Sequence, residues 1–165
     1  MTDYTGTDRA VTDHTVTHAT FTIERLYAAP PARVFAAWSD PKAKGSWFAD
    51  AEHPYELDFR VGGREVTRGT APDGTAMTFA SVYHDIVPDG RLVYGSTLHG
   101  GKTLATASLT TVEFEPDGEG TRLILTEQGS FLDGHEKPEW REHGTGEWLG
   151  ALGAYLTRNG EGVTQ

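Results

Sequence analysis

The sequence predicts a single α+β domain in which a curved antiparallel β-sheet of six to seven strands packs against a long C-terminal helix. Three observations lead to this prediction. Segments of alternating apolar and polar residues follow one another through the middle of the chain, separated by turns rich in Gly, Pro and Asp. Apolar residues near the C-terminus recur at helical spacing. That helix is the only long one available to cover the apolar face of the sheet.

The first elements are a strand and two short helices. The run Val16–Tyr27 is dense in β-branched and aromatic residues, which predicts a strand. Pro31 suits the first turn of a helix, where its missing N–H is not needed, and apolar residues at helical spacing continue this helix to Trp38. Pro41 ends the first helix and begins a second, which is expected to run to Phe48.

The middle of the chain predicts a series of antiparallel strands. The clearest is Tyr55–Val61, where apolar and charged residues alternate strictly. Gly62-Gly63 predicts a tight hairpin turn, because glycine accepts a positive φ at both central positions. Arg64–Gly69 is expected to return from that turn. The same alternation predicts further strands at Met77–His84, Leu92–Thr97, Leu104–Glu115 and Thr121–Gln128.

The last element is predicted to be a helix from near Glu139 to Arg158. At about 100° per residue, its apolar residues fall on one stripe, which consists of Trp148, Leu149, Leu152, Tyr155 and Leu156. Glycines at 146, 150 and 153 line a flank of this stripe. Two explanations stay open: the helix backbone is pressed against the sheet, or space is left for a bound molecule.

The domain is expected to span residues 15–158. Residues 1–14 are rich in Thr and Asp and predict a disordered N-terminal tail, and residues 159–165 are expected to form a C-terminal tail. The first residues lack the basic and apolar segments of a secretory signal, and no stretch approaches the roughly 18 apolar residues of a membrane span. The sequence therefore predicts a cytoplasmic protein without a membrane span.

Composition excludes several classes of function. Asp and Glu total 24 against 14 for Lys and Arg, so the formal net charge is −10, and no Lys/Arg cluster offsets it. Such a surface repels phosphate backbones, so no nucleic-acid partner is expected. The absence of cysteine excludes disulfides, thiolate metal sites and cysteine nucleophiles.

No motif assigns a catalytic, cofactor-binding or metal-binding residue. The seven histidines form neither HExxH nor a His-x-His pair, and there is no GxSxG elbow or P-loop. No metal and no cofactor are predicted, and an enzymatic role stays open without an assigned catalytic residue.

Two polar residues are nevertheless candidates for a ligand site. Glu127 shares strand parity with Leu123 and Leu125, so a continuous strand points it inward, towards a ligand or a base such as Arg25. If the strand ends earlier, Glu127 lies past the sheet edge in water. His99 follows a run of Gly, Ser and Thr and is a candidate donor at a cavity mouth.

Inward-facing aromatic residues are the strongest indication of a binding site. Concave surfaces lined by aromatic rings with a few polar groups are typical of small-molecule sites, although plain core packing accounts for at least half of them. The residues predicted to contact a small hydrophobic molecule are Trp38, Trp47, Phe48, Phe59, Phe79, Tyr83, Tyr94, His99, Glu127, Trp148, Leu152 and Tyr155.

Several motifs, in order, resemble those of a known family. The segment 29–41, which begins Ala29-Pro30 and ends VFAAWSDP, is similar to the APxxxVFxAWTDP segment of proteins that resemble the C-terminal domain of the activator of the heat-shock-protein ATPase. Trp47-Phe48 matches the following aromatic pair, and 58–63 resembles the family's DxRxGG turn. At 146–148 the family usually has Gly directly before Trp, whereas here Glu intervenes. The resemblance covers residues 20–157.

The resemblance implies a fold and a set of functions. The family belongs to a superfamily with START lipid-transfer domains, the birch-pollen allergen, polyketide cyclases and aromatases, and it implies the helix-grip fold. It implies no shared catalytic residue. Three hypotheses follow: binding of a lipid, polyketide or aromatic metabolite in an internal cavity; a cyclase- or aromatase-like enzyme that uses an inward acid, His or Tyr; and a protein-interaction module with a chaperone partner.

Overall fold

The computed structural model of the protein describes residues 14–161, so most of the predicted N-terminal tail and residues 162–165 lie outside the described residues. The described chain forms seven strands and three helices. The strands are β1 (Val16–Tyr27), β2 (Glu56–Leu57), β3 (Arg64–Thr70), β4 (Ala76–Val87), β5 (Arg91–Gly100), β6 (Thr103–Asp117) and β7 (Gly120–Leu132). The helices are α1 (Pro31–Ser39), α2 (Pro41–Phe48) and α3 (Pro138–Glu161).

The strands form one antiparallel sheet in the order β1-β7-β6-β5-β4-β3-β2. β1 pairs with β7 along its whole length, from Val16 opposite Leu132 to Tyr27 opposite Thr121. Because β1 and β2 lie at opposite edges, the chain passes from one edge to the other through α1 and α2. The sheet, the two short helices and the long α3 together confirm the predicted helix-grip fold.

A single residue, Asp40, ends α1 and begins α2. Its backbone N–H donates to the carbonyl of Ala36 at 3.1 Å, which completes the last turn of α1. Its side-chain Oδ2 accepts the backbone N–H of Ala43 at 2.9 Å, which caps the first turn of α2. Pro41 follows at the first position of α2, where its missing N–H costs nothing. Asp40 and Pro41 therefore define the boundary between the two helices.

Helix α3 is fixed to the sheet side by leucines and by hydrogen bonds to its carbonyls. Leu149, Leu152 and Leu156 from the predicted stripe are buried, and each stabilises the fold by roughly 1.5–3 kcal/mol. The Tyr27 hydroxyl donates to the Leu149 carbonyl at 2.7 Å, and Arg33 donates to the Leu156 carbonyl at 2.8 Å. The helix continues to Glu161, into the stretch predicted as a C-terminal tail.

Close packing explains two of the three glycines of α3. A Cβ at Gly153 would lie 3.4 Å from the Tyr27 ring, and one at Gly146 would lie 3.3 Å from the Arg25 guanidinium. A Cβ at Gly150 would meet nothing within 4 Å, because Gly150 is exposed on the helix surface.

The predicted strand Tyr55–Val61 is wrong beyond its first residues. Only Glu56–Leu57 pairs as a strand, with β3. The following residues form a loop, because the Gly62 N–H donates to the Tyr83 carbonyl at 2.8 Å and the Tyr83 N–H donates to the Gly63 carbonyl at 3.1 Å. The predicted turn geometry is also corrected. Of the two glycines, only Gly62 has a positive φ, of 85°. Gly63 is needed because no side chain fits there: a Cβ would lie 2.0 Å from a backbone oxygen of the same loop.

Within residues 14–161, no helix combines the length and the apolar character needed to cross a membrane.

Candidate functional site

A small pocket lies where α1, α2 and α3 meet the sheet, and most of the predicted ligand-binding residues line it. The helices provide aromatic and aliphatic side chains, and β4 to β7 provide the rest. The lining residues are Trp38, Trp47, Phe48, Phe79, Tyr94, Thr110, Leu125, Glu127, Thr145, Trp148 and Leu149.

Three aromatic rings form the outer wall of the pocket. The ring centroids of Phe48 and Trp148 are 4.5 Å apart at an interplanar angle of 63°, a T-shaped contact. Phe79 lies 5.9 Å from Trp148 and 6.4 Å from Phe48. Phe48 is buried, but Phe79 and Trp148 are half-buried. These two rings therefore separate the pocket from solvent.

Polar groups form the inner end of the same pocket. Glu127, Thr110 and Thr145 are each less than 5% exposed. Burial, followed by the charges of Glu65 and Glu127, raises the pKa of Tyr94, so its phenol is protonated at neutral pH. The pocket thus combines an aromatic wall with a carboxylate and two aliphatic hydroxyls, which is the composition of a site for an amphipathic molecule.

Glu127 is held by Arg141, a residue that the sequence analysis did not identify. Arg141 Nη1 donates to Glu127 Oε2 at 2.6 Å, and both side chains are 5% exposed. Arg141 also donates to Thr106 Oγ1 at 2.6 Å and to both oxygens of Glu136. Burial lowers the pKa of Arg141, but the charges of Glu127 and Glu136 outweigh it and raise the pKa above its ordinary value.

The sequence offered a signal for Arg141. It precedes Thr145, Trp148 and Leu152 at helical spacing, so it lies on the buried stripe of α3. A base on an apolar stripe requires an acid opposite, and the inward parity of Glu127 supplied one. The expectation that Glu127 could lie in water is therefore wrong. Arg25, the named partner, instead donates to a backbone carbonyl of its own strand.

A second buried ion pair lies behind the aromatic wall. Lys44 Nζ is 2.8 Å from Glu65 Oε2, and these side chains are 1% and 2% exposed. The hydroxyls of Tyr55 and Tyr83 also donate to Glu65. Burial lowers the pKa of Lys44, and the adjacent Glu65 opposes that shift. The Lys44 ammonium lies 4.3 Å from the Phe48 ring centroid, so it makes a cation–π contact with the pocket wall.

The remaining predicted site residues lie elsewhere. Phe59 packs on Phe35 and Tyr83 in the core, with centroids 5.8 and 5.1 Å apart. Leu152 is fully buried in the core and Tyr155 packs against it. His99 is half-buried on β5, next to Leu104 of β6. The enzyme hypothesis needs an inward acid, His or Tyr, and of its candidates Glu127, His99 and Tyr83, only Glu127 lines the pocket.

The pocket is closed in this structure. Its cavity volume is about 20 Å³, which is room for about one water molecule. An apolar cavity that binds benzene is about 150 Å³ in another protein. Any ring-sized ligand therefore needs the side chains of the outer wall to move. In the part of the chain from His14 to Glu161, no cluster of three or more His, Asp or Glu side chains is arranged to hold a metal ion.

The sheet wrapped on α3, with an aromatic pocket between them, defines a helix-grip protein. Residues 28–157 match the family described as Activator of Hsp90 ATPase homolog 1-like protein, and the chain belongs to this family. The resemblance found in the sequence is thus confirmed.

Several solved structures are similar over nearly the whole domain. An uncharacterized protein from Rhizobium leguminosarum is 44% identical, covers 88% of this chain and 98% of its own, and has a TM-score of 0.83. The Mll3558 protein from Rhizobium loti is 45% identical, with coverage of 86% and 99% and a TM-score of 0.82. Protein CV1439 from Chromobacterium violaceum is 27% identical, with coverage of 82% and 94% and a TM-score of 0.69. No curated protein matches the chain.

Proposed function

We propose that this protein binds a small hydrophobic or amphipathic molecule in the pocket between the sheet and α3. The observation that carries the proposal is the convergence of Glu127, Thr110 and Thr145 beneath an aromatic wall. The ion pair with Arg141 accounts for the carboxylate. The two hydroxyls add nothing to packing against an aromatic wall, because a buried polar group costs free energy unless it is hydrogen-bonded.

Binding requires the pocket to open, and the wall is built to allow this. Phe79 and Trp148 are half-buried, so their rings can turn outward without leaving a void in the centre of the core. Leu123 and Leu152 are fully buried and lie outside the pocket lining, whereas Trp38 and Leu149 belong to both the core and the lining. We expect a ligand to replace contacts of the two half-buried rings while these core side chains stay in place.

The test is an NMR titration with two probes of different shape, 2-naphthol for an aromatic metabolite and 1-decanol for a lipid chain. We expect saturable shifts at the indole N–H of Trp148 and the amide of Thr110, together with a midpoint of thermal unfolding that rises with probe concentration. Shifts confined to surface residues, or no saturable binding by either probe, would refute the proposal.

A matched pair of variants links binding to the pocket. Phe79→Ala removes part of the wall and preforms the opening, so it is expected to raise the affinity for 2-naphthol several-fold, because less free energy is spent on opening. Tyr155→Ala removes another half-buried aromatic ring that does not line the pocket. It is expected to leave the affinity unchanged. Equal effects of the two variants would contradict the assignment.

A further inference from the structure

We infer that the ligand of this pocket carries a neutral hydroxyl at the inner end of its apolar body, and that ligands ending in a carboxylate are excluded; this inference rests on the proposed function. It follows from which hydrogen-bonding groups at the pocket are already used and which are not.

A carboxylate oxygen at the pocket has no protein donor. Arg141 donates to Oε2 of Glu127, and no group of residues 14–161 donates a hydrogen bond to Oε1. Glu127 is only 4% exposed and lines the pocket, so a molecule in the pocket can reach this oxygen. A buried carboxylate oxygen without a donor is costly, and a ligand O–H directed at it forms a charge-assisted hydrogen bond.

Hydroxyl groups also line the pocket, on Tyr94, Thr110 and Thr145. A hydroxyl can either donate or accept a hydrogen bond. A ligand group that donates to Oε1 and accepts from one of these hydroxyls therefore suits the pocket, and a hydroxyl is such a group. An ether only accepts.

The cations near the pocket are not available to an anionic ligand. The nitrogens Nε, Nη1 and Nη2 of Arg141 all donate to protein oxygens, and two of its partners, Glu127 and Glu136, are carboxylates. That cluster has one more negative charge than positive. Lys44 is paired with Glu65. A ligand carboxylate would therefore enter a buried site with an excess of negative charge and no free cation, which is strongly unfavourable.

The test compares naphthalenes that share one body and differ only in the polar group: 2-naphthol, 2-methoxynaphthalene and 2-naphthoate. The affinity of each for the protein is measured by NMR titration at neutral pH. We expect 2-naphthol to bind at least tenfold more tightly than the methoxy compound, and 2-naphthoate to bind most weakly. Equal affinity of 2-naphthol and 2-methoxynaphthalene overturns the inference, and so does tightest binding of 2-naphthoate.

Variants on β6 give an independent measure. Thr110→Val removes a hydroxyl from the pocket with little change in shape, and is expected to lower the preference for 2-naphthol over 2-methoxynaphthalene severalfold. Thr111→Val makes the same change on the opposite face of the strand, and is expected to leave the preference unchanged. A preference that does not differ between the two variants counts against the inference. If no naphthalene binds at all, the proposed function itself fails, so the two failures are distinguishable.

Discussion

The buried pair of Arg141 and Glu127 allows a sharp test of the charge arrangement at the pocket. Arg141→Met keeps the apolar stem and removes the guanidinium, which leaves Glu127 at 4% exposure without a cation. Removing one partner of a buried ion pair costs roughly 3–5 kcal/mol. The variant also loses the bonds to Thr106 and Glu136. We therefore expect a loss at the upper end of that range, out of a total stability of roughly 5–15 kcal/mol.

An exposed arginine provides the matched control. Arg122 also contacts two carboxylates, Glu24 and Glu115, but its side chain is 46% exposed. Arg122→Met is expected to cost far less than Arg141→Met, because water solvates the carboxylates that remain. The free energy of unfolding is measured by urea denaturation at neutral pH, followed by circular dichroism, for both variants and the parent protein.

The double variant Arg141→Met/Glu127→Gln separates charge from packing. It removes both the cation and the carboxylate that depends on it, so it is expected to recover much of the stability lost by Arg141→Met. It also serves as the measurable species if the single variant does not fold. The reasoning is refuted if Arg141→Met costs no more than Arg122→Met, or if the double variant is less stable than the single one.

Three further predictions follow from the fold. Gly63→Ala is expected to lower the free energy of unfolding by more than about 1 kcal/mol, because the new Cβ would lie 2.0 Å from a backbone oxygen. Gly69→Ala, whose Cβ would meet nothing within 4 Å, is expected to be neutral or stabilising. Urea unfolding of the two variants checks this. Tyr27→Phe removes the hydrogen bond to the Leu149 carbonyl and is expected to lower the free energy of unfolding by about 1 kcal/mol, measured in the same way. Burial raises the pKa of Tyr83 well above its ordinary value of 10.0, so the folded state favours the protonated phenol. The contribution of Tyr83 to the free energy of unfolding is therefore fully present below pH 10.0 and is lost as the pH rises above it. The tyrosinate absorbance that Tyr83 contributes, taken as the difference between the parent protein and Tyr83→Phe, should then appear together with unfolding. A difference signal that appears in the folded protein would contradict this prediction.

The sequence predicted the fold well where local pattern and tertiary environment agree. The stripe of α3 and the strand pairs are periodic over many residues, and burial follows the same period. The strand predicted at residues 55–61 was wrong because the alternation of apolar and charged residues there reflects burial but not strand pairing. Phe59 does face the core, yet the backbone after Leu57 leaves the sheet to bond Tyr83, which lies far along the chain. The alternation of apolar and polar residues does not show which part of the chain will hydrogen-bond to the backbone of a segment.

The candidate site was predicted less completely, and the missing residues share one physical cause. The aromatic residues Trp38, Phe48 and Trp148 were found because apolar residues on inward stripes are expected to be buried. Arg141 and Lys44 were missed because a charge is assigned to the solvent side unless its partner is known. Their partners come from other elements: Glu127 from β7 and Glu65 from β3. Periodicity can place Arg141 and Glu127 each on the inward face of its own element, but it does not show that the two side chains meet.

These two ion pairs also determine how the pocket can open. Lys44 and Glu65 join α2 to the sheet, and Arg141 and Glu127 join α3 to it. Moving either helix away would separate a buried pair, at a cost of roughly 3–5 kcal/mol. Turning the half-buried ring of Trp148 to another rotamer requires much less, roughly 0.5–1.5 kcal/mol for an unfavourable χ angle plus the lost ring contacts. We therefore expect ligands to enter by side-chain rotation while both helices stay in place. The free energy of this opening reduces the observed affinity, by about tenfold for each 1.4 kcal/mol.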